Sequence, residues 1–311
     1  MFHFTCNICG RANATATLPW EPSTCLGCGS NIRFRALNYL LSKELFGVGV
    51  CLEDFPKLHS IRGMGFSDDE RYAPRLAEKF DYTNTFFHKE PRIDITEQHP
   101  DLWGTFDFIL SSDVFEHINA PVERAFEEAF RLLKPNGFLC VTVPSSVEDQ
   151  TDEHYPGLSD YAVTKIGGEL VLVTRDAEGK LRLHEKPAFH GGPGQTLEMR
   201  VFAQNDLARK LKVSGFSSVE FHGENVDAFG IRYEACSRPL VARKGTYRLS
   251  AEAVDQLLEH HFEVAGHAGR LHMAIAALQV QVHERDAKLA AAAGSRWLLL
   301  GRILGVGPKL P

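Results

Sequence analysis

The 311-residue chain carries 34 Lys+Arg against 40 Asp+Glu, a net charge of −6, and is 44% hydrophobic and 24% charged. That balance, with 21 Phe, excludes a disordered chain and provides for one large domain or two ordinary ones. It also argues against a protein that wraps nucleic acid by charge alone, and no apolar run reaches the ~18–20 residues of a bilayer-spanning helix.

The first residues, MFHFTCNICG, lack the basic and apolar regions of a secretory leader, so the expected setting is the cytoplasm, where thiols stay reduced. Four of the seven cysteines fall before residue 30. Cys6-x-x-Cys9 and Cys25-x-x-Cys28 stand 15 residues apart, and Gly10 and Gly29 follow each pair where a tight knuckle needs unhindered backbone. Four thiolates at this spacing suit one tetrahedral zinc ion, in a closed structural site with no open position for catalysis. Cys51, Cys140 and Cys236 read as single buried thiols. Leu37, Leu40, Leu41 and Leu45 recur at helical spacing, so the module of residues 1–45 ends in a helix.

Short apolar runs then alternate with periodic ones. Leu58–Phe66 reads as a strand entering a turn at Gly63 and Gly65, after which Asp68 and Asp69 can cap a helix reaching Lys79 or Phe80. Tyr82–Phe87 is β-prone, and Phe106–Leu110 is a buried strand. Pro121–Leu133 is an amphipathic helix stopped by the turn Lys134–Gly137, before a further strand over Phe138–Val143. This alternation predicts a parallel sheet covered on both faces, an α/β fold. Residues 145–200 read as a β-rich insertion or lid, with strands near 161–164, 169–174 and 181–184 and a Gly-rich loop at 189–194. The α/β pattern resumes with a helix over 203–213 and strands at 218–221 and 239–242, which closes a domain spanning 46–245.

The remainder, 246–311, is expected to be a helical tail. Leu271, Ile275, Leu278, Val282 and Leu289 nearly keep a heptad, interrupted by Arg285, which provides a short seam for a homodimer or a docking helix over 271–289. Residues 295–311 are apolar and basic, with Trp297, Leu300 and Leu304 at helical spacing and Arg296, Arg302 and Lys309 as the charges. Such a segment suits peripheral contact with the inner face of a membrane or with an assembly partner.

Two runs are more specific. Phe106-Asp-Phe-Ile-Leu-Ser-Ser-Asp-Val-Phe-Glu-His117, followed by Phe130-Arg-Leu-Leu-Lys-Pro-Asn-Gly-Phe-Leu-Cys-Val-Thr-Val-Pro144, resembles the class I S-adenosylmethionine-dependent methyltransferases. Cys25-Leu-Gly-Cys-Gly-Ser-Asn-Ile-Arg-Phe-Arg-Ala-Leu37 resembles the zinc-ribbon lead-in of a bacterial subgroup of them. The C-terminus resembles the short tails of bacterial surface-polysaccharide assembly proteins. The resemblance spans about residues 1–245 and implies a Rossmann-like, seven-stranded sheet with an antiparallel last hairpin. It implies S-adenosyl-L-methionine as cofactor, with Gly63, Gly65 and Ser67 in the first turn, Glu90 at the end of the second strand on the ribose, Asp94 on the adenine side, and Ser111, Ser112 and Asp113 beside the methionine moiety. The first turn lacks the family's usual acid and has Ser67 in place of its third glycine.

The expected reaction is methyl transfer to an oxygen of a glycan or another small polar acceptor, with His117, His154 or His190 as proton acceptor. Two alternatives stand beside it. One is an RNA methyltransferase that uses the zinc module to hold substrate, although four basic against two acidic residues in 1–45 make a thin RNA groove and nucleic acid an unpromising partner. The other is a non-catalytic scaffold of the same fold.

Overall fold

The computed structural model describes residues 1–119, 121–156, 158–190, 196–234 and 238–293. The expectations for Cys236, for Gly191–Gly194 and for the tail at 295–311 lie outside the described residues. Contacts divide the chain into Met1–Gln256 and Leu257–Pro311.

The chain opens with a hairpin, β1 (Phe2–Thr5) and β2 (Ala12–Thr15), followed by α1 (Ile32–Phe46). Asn31 caps α1 by accepting from the Phe34 amide at 3.0 Å, and Gly47 ends it in the left-handed region at φ 76°. Four parallel strands come next: β3 (Leu58–Phe66), β4 (Phe80–Thr85), β5 (Phe106–Ser112) and β6 (Leu133–Thr142). Helix α2 (Ala73–Lys79) joins β3 to β4, and α3 (Glu123–Leu132) joins β5 to β6. The sequence places a turn at Lys134–Gly137. Instead these residues begin β6, and the mismatch is absorbed by a register shift between Phe106 and Phe108 on the neighbouring strand.

An insertion follows. Its short strands β7 (Ser145–Ser146) and β8 (Asp152–Glu153) precede a three-stranded antiparallel meander of β9 (Leu158–Ile166), β10 (Glu169–Asp176) and β11 (Leu181–His184). Two further strands, β12 (Phe189–His190) and β13 (Thr196–Leu197), pair with each other. The last, β14 (Arg200–Ala203), returns between β7 and β8. Helix α4 (Gln204–Val213), β15 (Ser218–Phe221) and β16 (Leu240–Arg243) complete the sheet, and α5 (Ala251–Ala293) ends the described chain.

The main sheet runs β15–β16–β6–β5–β3–β4. Strand β16 is antiparallel to both neighbours. This is the Rossmann-like methyltransferase order with its reversed last hairpin, but with six strands among the described residues rather than seven. One face packs α3 and α4 through Ala125, Phe126, Leu132, Leu207 and Leu211 onto Phe66, Ile109 and Val141. By strand alternation the other face carries Phe108, Phe138 and Cys140, with Phe108 stacked against both Tyr82 and Phe138. Strand order reverses between β3 and β5, so a ligand of this fold belongs at their carboxyl ends.

Candidate functional site

The four N-terminal cysteines converge. Their Sγ atoms all lie within 4.8 Å of one another, with Cys6–Cys28 at 3.7 Å and Cys9–Cys25 at 3.6 Å. A tetrahedron with ~2.3 Å zinc–sulfur bonds has sulfur–sulfur edges of about 3.8 Å, so the donor set fits that ion. Each knuckle closes through a glycine amide, Gly10 to the Cys6 carbonyl at 2.8 Å and Gly29 to the Cys25 carbonyl at 3.0 Å. Both glycines sit at positive φ, as the sequence requires. The sulfurs make further hydrogen bonds within and beside the knuckles. The Gly27 amide lies 3.3 Å from Cys25 Sγ, and the Ser30 hydroxyl 3.3 Å from Cys6 Sγ. Beneath them the fully buried Arg35 donates to the carbonyls of Ser30 and Gly230, which places a cation beside a cluster that turns anionic as thiolates form.

Arg33, two residues earlier on α1, points to the sheet edge. It forms an ion pair with Asp113 at 3.1 Å and a two-pronged one with Glu21 at 3.0 and 3.1 Å, and it donates to the Ser112 hydroxyl at 2.6 Å. Burial works against its charge, but Asp113 and Glu21 outweigh burial and hold the guanidinium above its ordinary value. The cysteine module is thereby clamped to the carboxyl end of β5. Asp113 also accepts from the Thr142 hydroxyl at 2.8 Å, which ties the end of β5 to that of β6.

The first turn differs from expectation. Gly63 and Gly65 are interior residues of β3, not turn residues. A Cβ at Gly63 would stand 2.2 Å from the Phe108 ring, and one at Gly65 would stand 2.1 Å from the Tyr82 hydroxyl and 2.4 Å from Asp68. These glycines make room for the protein's own side chains, which the sequence pattern alone does not distinguish from room for a ligand. The turn itself is Ser67–Asp68. Nor does Asp68 cap α2. Its buried carboxylate accepts from the hydroxyls of Tyr72 at 2.7 Å and of Tyr82, while Asn84 brackets its backbone with bonds of 2.8 and 2.9 Å. Burial pushes the Asp68 carboxyl up to about 7, against the opposing pull of the two tyrosine bonds.

Ser67 and Asp113 are the two non-glycine residues with left-handed backbone among the described residues, at φ 56° and 53°. They stand at the carboxyl ends of β3 and β5, on either side of the point where strand order reverses. Strained backbone of this kind concentrates at functional sites. Between them Ser111 is fully buried, and its hydroxyl has no protein partner.

Of the other expected site residues, His117 and His154 both border the segment Leu197–Met199, while Glu90 and Asp94 lie in the loop after β4. Glu90 does not end the second strand: β4 stops at Thr85, and Glu90 lies exposed in the loop beyond, accepting from the Arg92 amide at 3.0 Å. Asp94 closes a local turn with the amide and hydroxyl of Thr96. His117 bonds through Nδ1 to the Leu197 carbonyl at 2.8 Å and stands 3.6 Å from the buried Glu116, whose carboxyl is pushed up by burial and by the charge of Asp113. His154 pairs with Glu198 in the insertion at 3.0 Å. His190 pairs by its backbone with Thr196, and its side chain lies outside the described residues.

Beside the edge is a cavity of about 370 Å³, lined by Trp20, Glu21, Asp113, Thr142, Val143, Pro144 and Glu234. It thus joins the cysteine module to the carboxyl ends of β5 and β6. Neither His117 nor His154 is among its described lining residues. Sequence reasoning passed over Trp20, Glu21, Arg33 and Thr142. Of these, Arg33 and Thr142 carried a local signal, as parts of the Cys25–Leu37 and Phe130–Pro144 runs.

Residues 82–141, from β4 to the end of β6, match the profile of a family described as "Methyltransferase domain". No curated protein matches the chain. Solved structures that match include the citrinin polyketide synthase CMeT domain, at 13% identity and TM-score 0.35, over 60% of this chain. The chain spans only about half of that structure, 47%. A methyltransferase from Mesorhizobium loti matches at 14% identity and TM-score 0.37, over 70% of this chain and 100% of its own. The 1,6-didemethyltoxoflavin-N1-methyltransferase of Burkholderia thailandensis matches at 14% identity and TM-score 0.36, over 76% and 96%.

Proposed function

We propose that the chain is an S-adenosylmethionine-dependent methyltransferase acting on a small polar acceptor, with an oxygen of a glycan as the leading case. The observation that carries this reading is the match over 82–141, because that segment holds β5 and its Ser111–Asp113 end, and open α/β sheets bind ligands at such strand ends. Ser67, Ser111, Ser112 and Asp113 are the residues that would hold the cofactor; the unsatisfied Ser111 hydroxyl and the two left-handed residues support a ligand there. When bound, the cofactor supplies an electrophilic methyl group, and the protein's work is to orient the acceptor and exclude water.

The cavity beside that edge is the proposed acceptor site. Glu21, Asp113 and Glu234 offer hydrogen-bond acceptors for hydroxyl or ammonium groups, and Trp20, Val143 and Pro144 supply apolar wall. The described lining of the cavity carries no Lys or Arg to meet a phosphate, which counts against RNA as the acceptor. Glu21 and Asp113 are held there by Arg33, and His117, His154 and His190 remain the candidate proton acceptors. In this reading the zinc module is a wall of the acceptor site, and one structural zinc ion bound by Cys6, Cys9, Cys25 and Cys28 holds Trp20 and Glu21 in place.

The scaffold reading has one observation in its favour: side chains of the protein occupy the space beside Gly63 and Gly65. Incubation with methyl-labelled cofactor and a panel of neutral sugars, amino sugars and RNA tests the proposal. Label on a sugar supports it. Label on RNA overturns the acceptor class, and a chain that neither transfers label nor binds the cofactor favours the scaffold.

A further inference from the structure

Helix α5 runs 43 residues, a rod of about 65 Å at 1.5 Å per residue. Along it, Val264, Leu271, Ile275, Leu278, Val282 and Leu289 fall on one seam, with Ala268 and Arg285 filling the two remaining positions. The steps along this seam alternate strictly between four and three residues from 264 to 289. All six large apolar side chains are between 47% and 62% exposed. A helix that packs on a globular core shows a wider stripe, whereas a strict two-in-seven seam is the pattern of helices that wrap each other. Phe262, Met273 and Val280 lie on the opposite side, seven or more residues apart, and form no continuous stripe.

We infer that this seam is the interface of a parallel, two-stranded coiled coil with a second copy of the same chain. The residue types select that partner. In the two central heptads the a positions are Ile275 and Val282 and the d positions are Leu271 and Leu278. β-Branched side chains at a with leucine at d favour two parallel strands over three or four. Parallel pairing also sets each seam residue against its own copy, so a pattern that is regular in one chain is automatically matched in the other. Arg285 at d lays its aliphatic stem along the seam, and its charge reaches the flanking Asp286 of the other copy, which fixes register. Removing the remaining exposure of six such side chains on each of two helices takes on the order of 1,000 Å² from water, at the lower bound of a stable pairwise interface.

Light scattering on the full chain at about 50 µM tests the inference, alongside Ile275→Lys/Leu278→Lys. The expected mass is twice the 34.7 kDa of one chain, falling to that of one chain in the double variant. Both positions are exposed in the isolated helix, so circular dichroism should show the variant still folded, and a variant that has lost its fold is replaced by Leu271→Gln/Leu278→Gln. Orientation is read from oxidative cross-linking: Leu278→Cys should give covalent dimer well above the background of the native cysteines, and Ala276→Cys, on the outer face, should not. A monomeric full chain, a trimer, or a dimer that survives both pairs of substitutions overturns the proposal. So does a monomer that becomes a dimer only when the chain is ended at Ala293, because the seam would then belong to the tail.

Discussion

Asp68→Asn probes the first turn through its dependence on pH. The Asp68 carboxyl is fully enclosed, and burial lifts it from the usual 3.8 to about 7. Over that window the folded protein keeps a proton that the unfolded chain has released. Folding therefore takes up a proton, and stability falls as pH rises, by about 1.4 kcal/mol per unit, until the folded value is passed. Between pH 5 and pH 8 this one group removes about 2.5 kcal/mol. Asparagine keeps the size, and an oxygen for one tyrosine hydroxyl, but not the titration. Urea unfolding of both proteins at pH 5, 6, 7 and 8, followed by circular dichroism, subtracts every other carboxylate. The stability advantage of wild type over variant should shrink by about 2.5 kcal/mol across the series. A difference that stays constant with pH would refute the reasoning, because Asp68 would then be ionised among its tyrosines throughout.

Three further outcomes are expected. Metal analysis should find about one zinc per chain, lost in Cys25→Ser/Cys28→Ser together with thermal stability; a folded, metal-free wild type would dismiss the metal centre. Arg33→Met removes the guanidinium from the nearly buried Asp113 and should cost about 3 kcal/mol in urea unfolding, whereas a cost under about 1 kcal/mol would mean that the clamp between module and sheet is dispensable. Gly65→Ala should cost about 1–3 kcal/mol, because its Cβ overlaps the Tyr82 hydroxyl, and a neutral outcome would show that the tyrosine is free to withdraw.

The parts of this molecule legible in its sequence are those set by local pattern. The paired Cys-x-x-Cys spacing located the cluster, because each knuckle needs only its own few residues. Phe106–Leu110, Pro121–Leu133 and Phe138–Val143 placed β5, α3 and most of β6, because buried parallel strands and an amphipathic helix write their periods into consecutive residues. Function at the first turn was not legible in the same way. Whether a glycine makes room for a ligand or for Phe108 and Tyr82 depends on neighbouring strands 17 to 45 residues away in sequence, and nothing local records that. Glu90 was misplaced because β4 ends at Thr85, and a strand's end depends on how far its partner runs. Trp20, Glu21 and Glu234 meet at one cavity only through the fold, so no motif announced them.

The central claim is that the carboxyl edge between β3 and β5 holds S-adenosylmethionine. Titration calorimetry of the zinc-loaded full chain with the cofactor alone tests it without any knowledge of the acceptor. Saturable binding at one site per chain is expected, within the ~1 µM–1 mM range usual for enzyme ligands. No heat at millimolar cofactor, from protein that is folded and metal-loaded, would contradict it and leave the fold without its reaction.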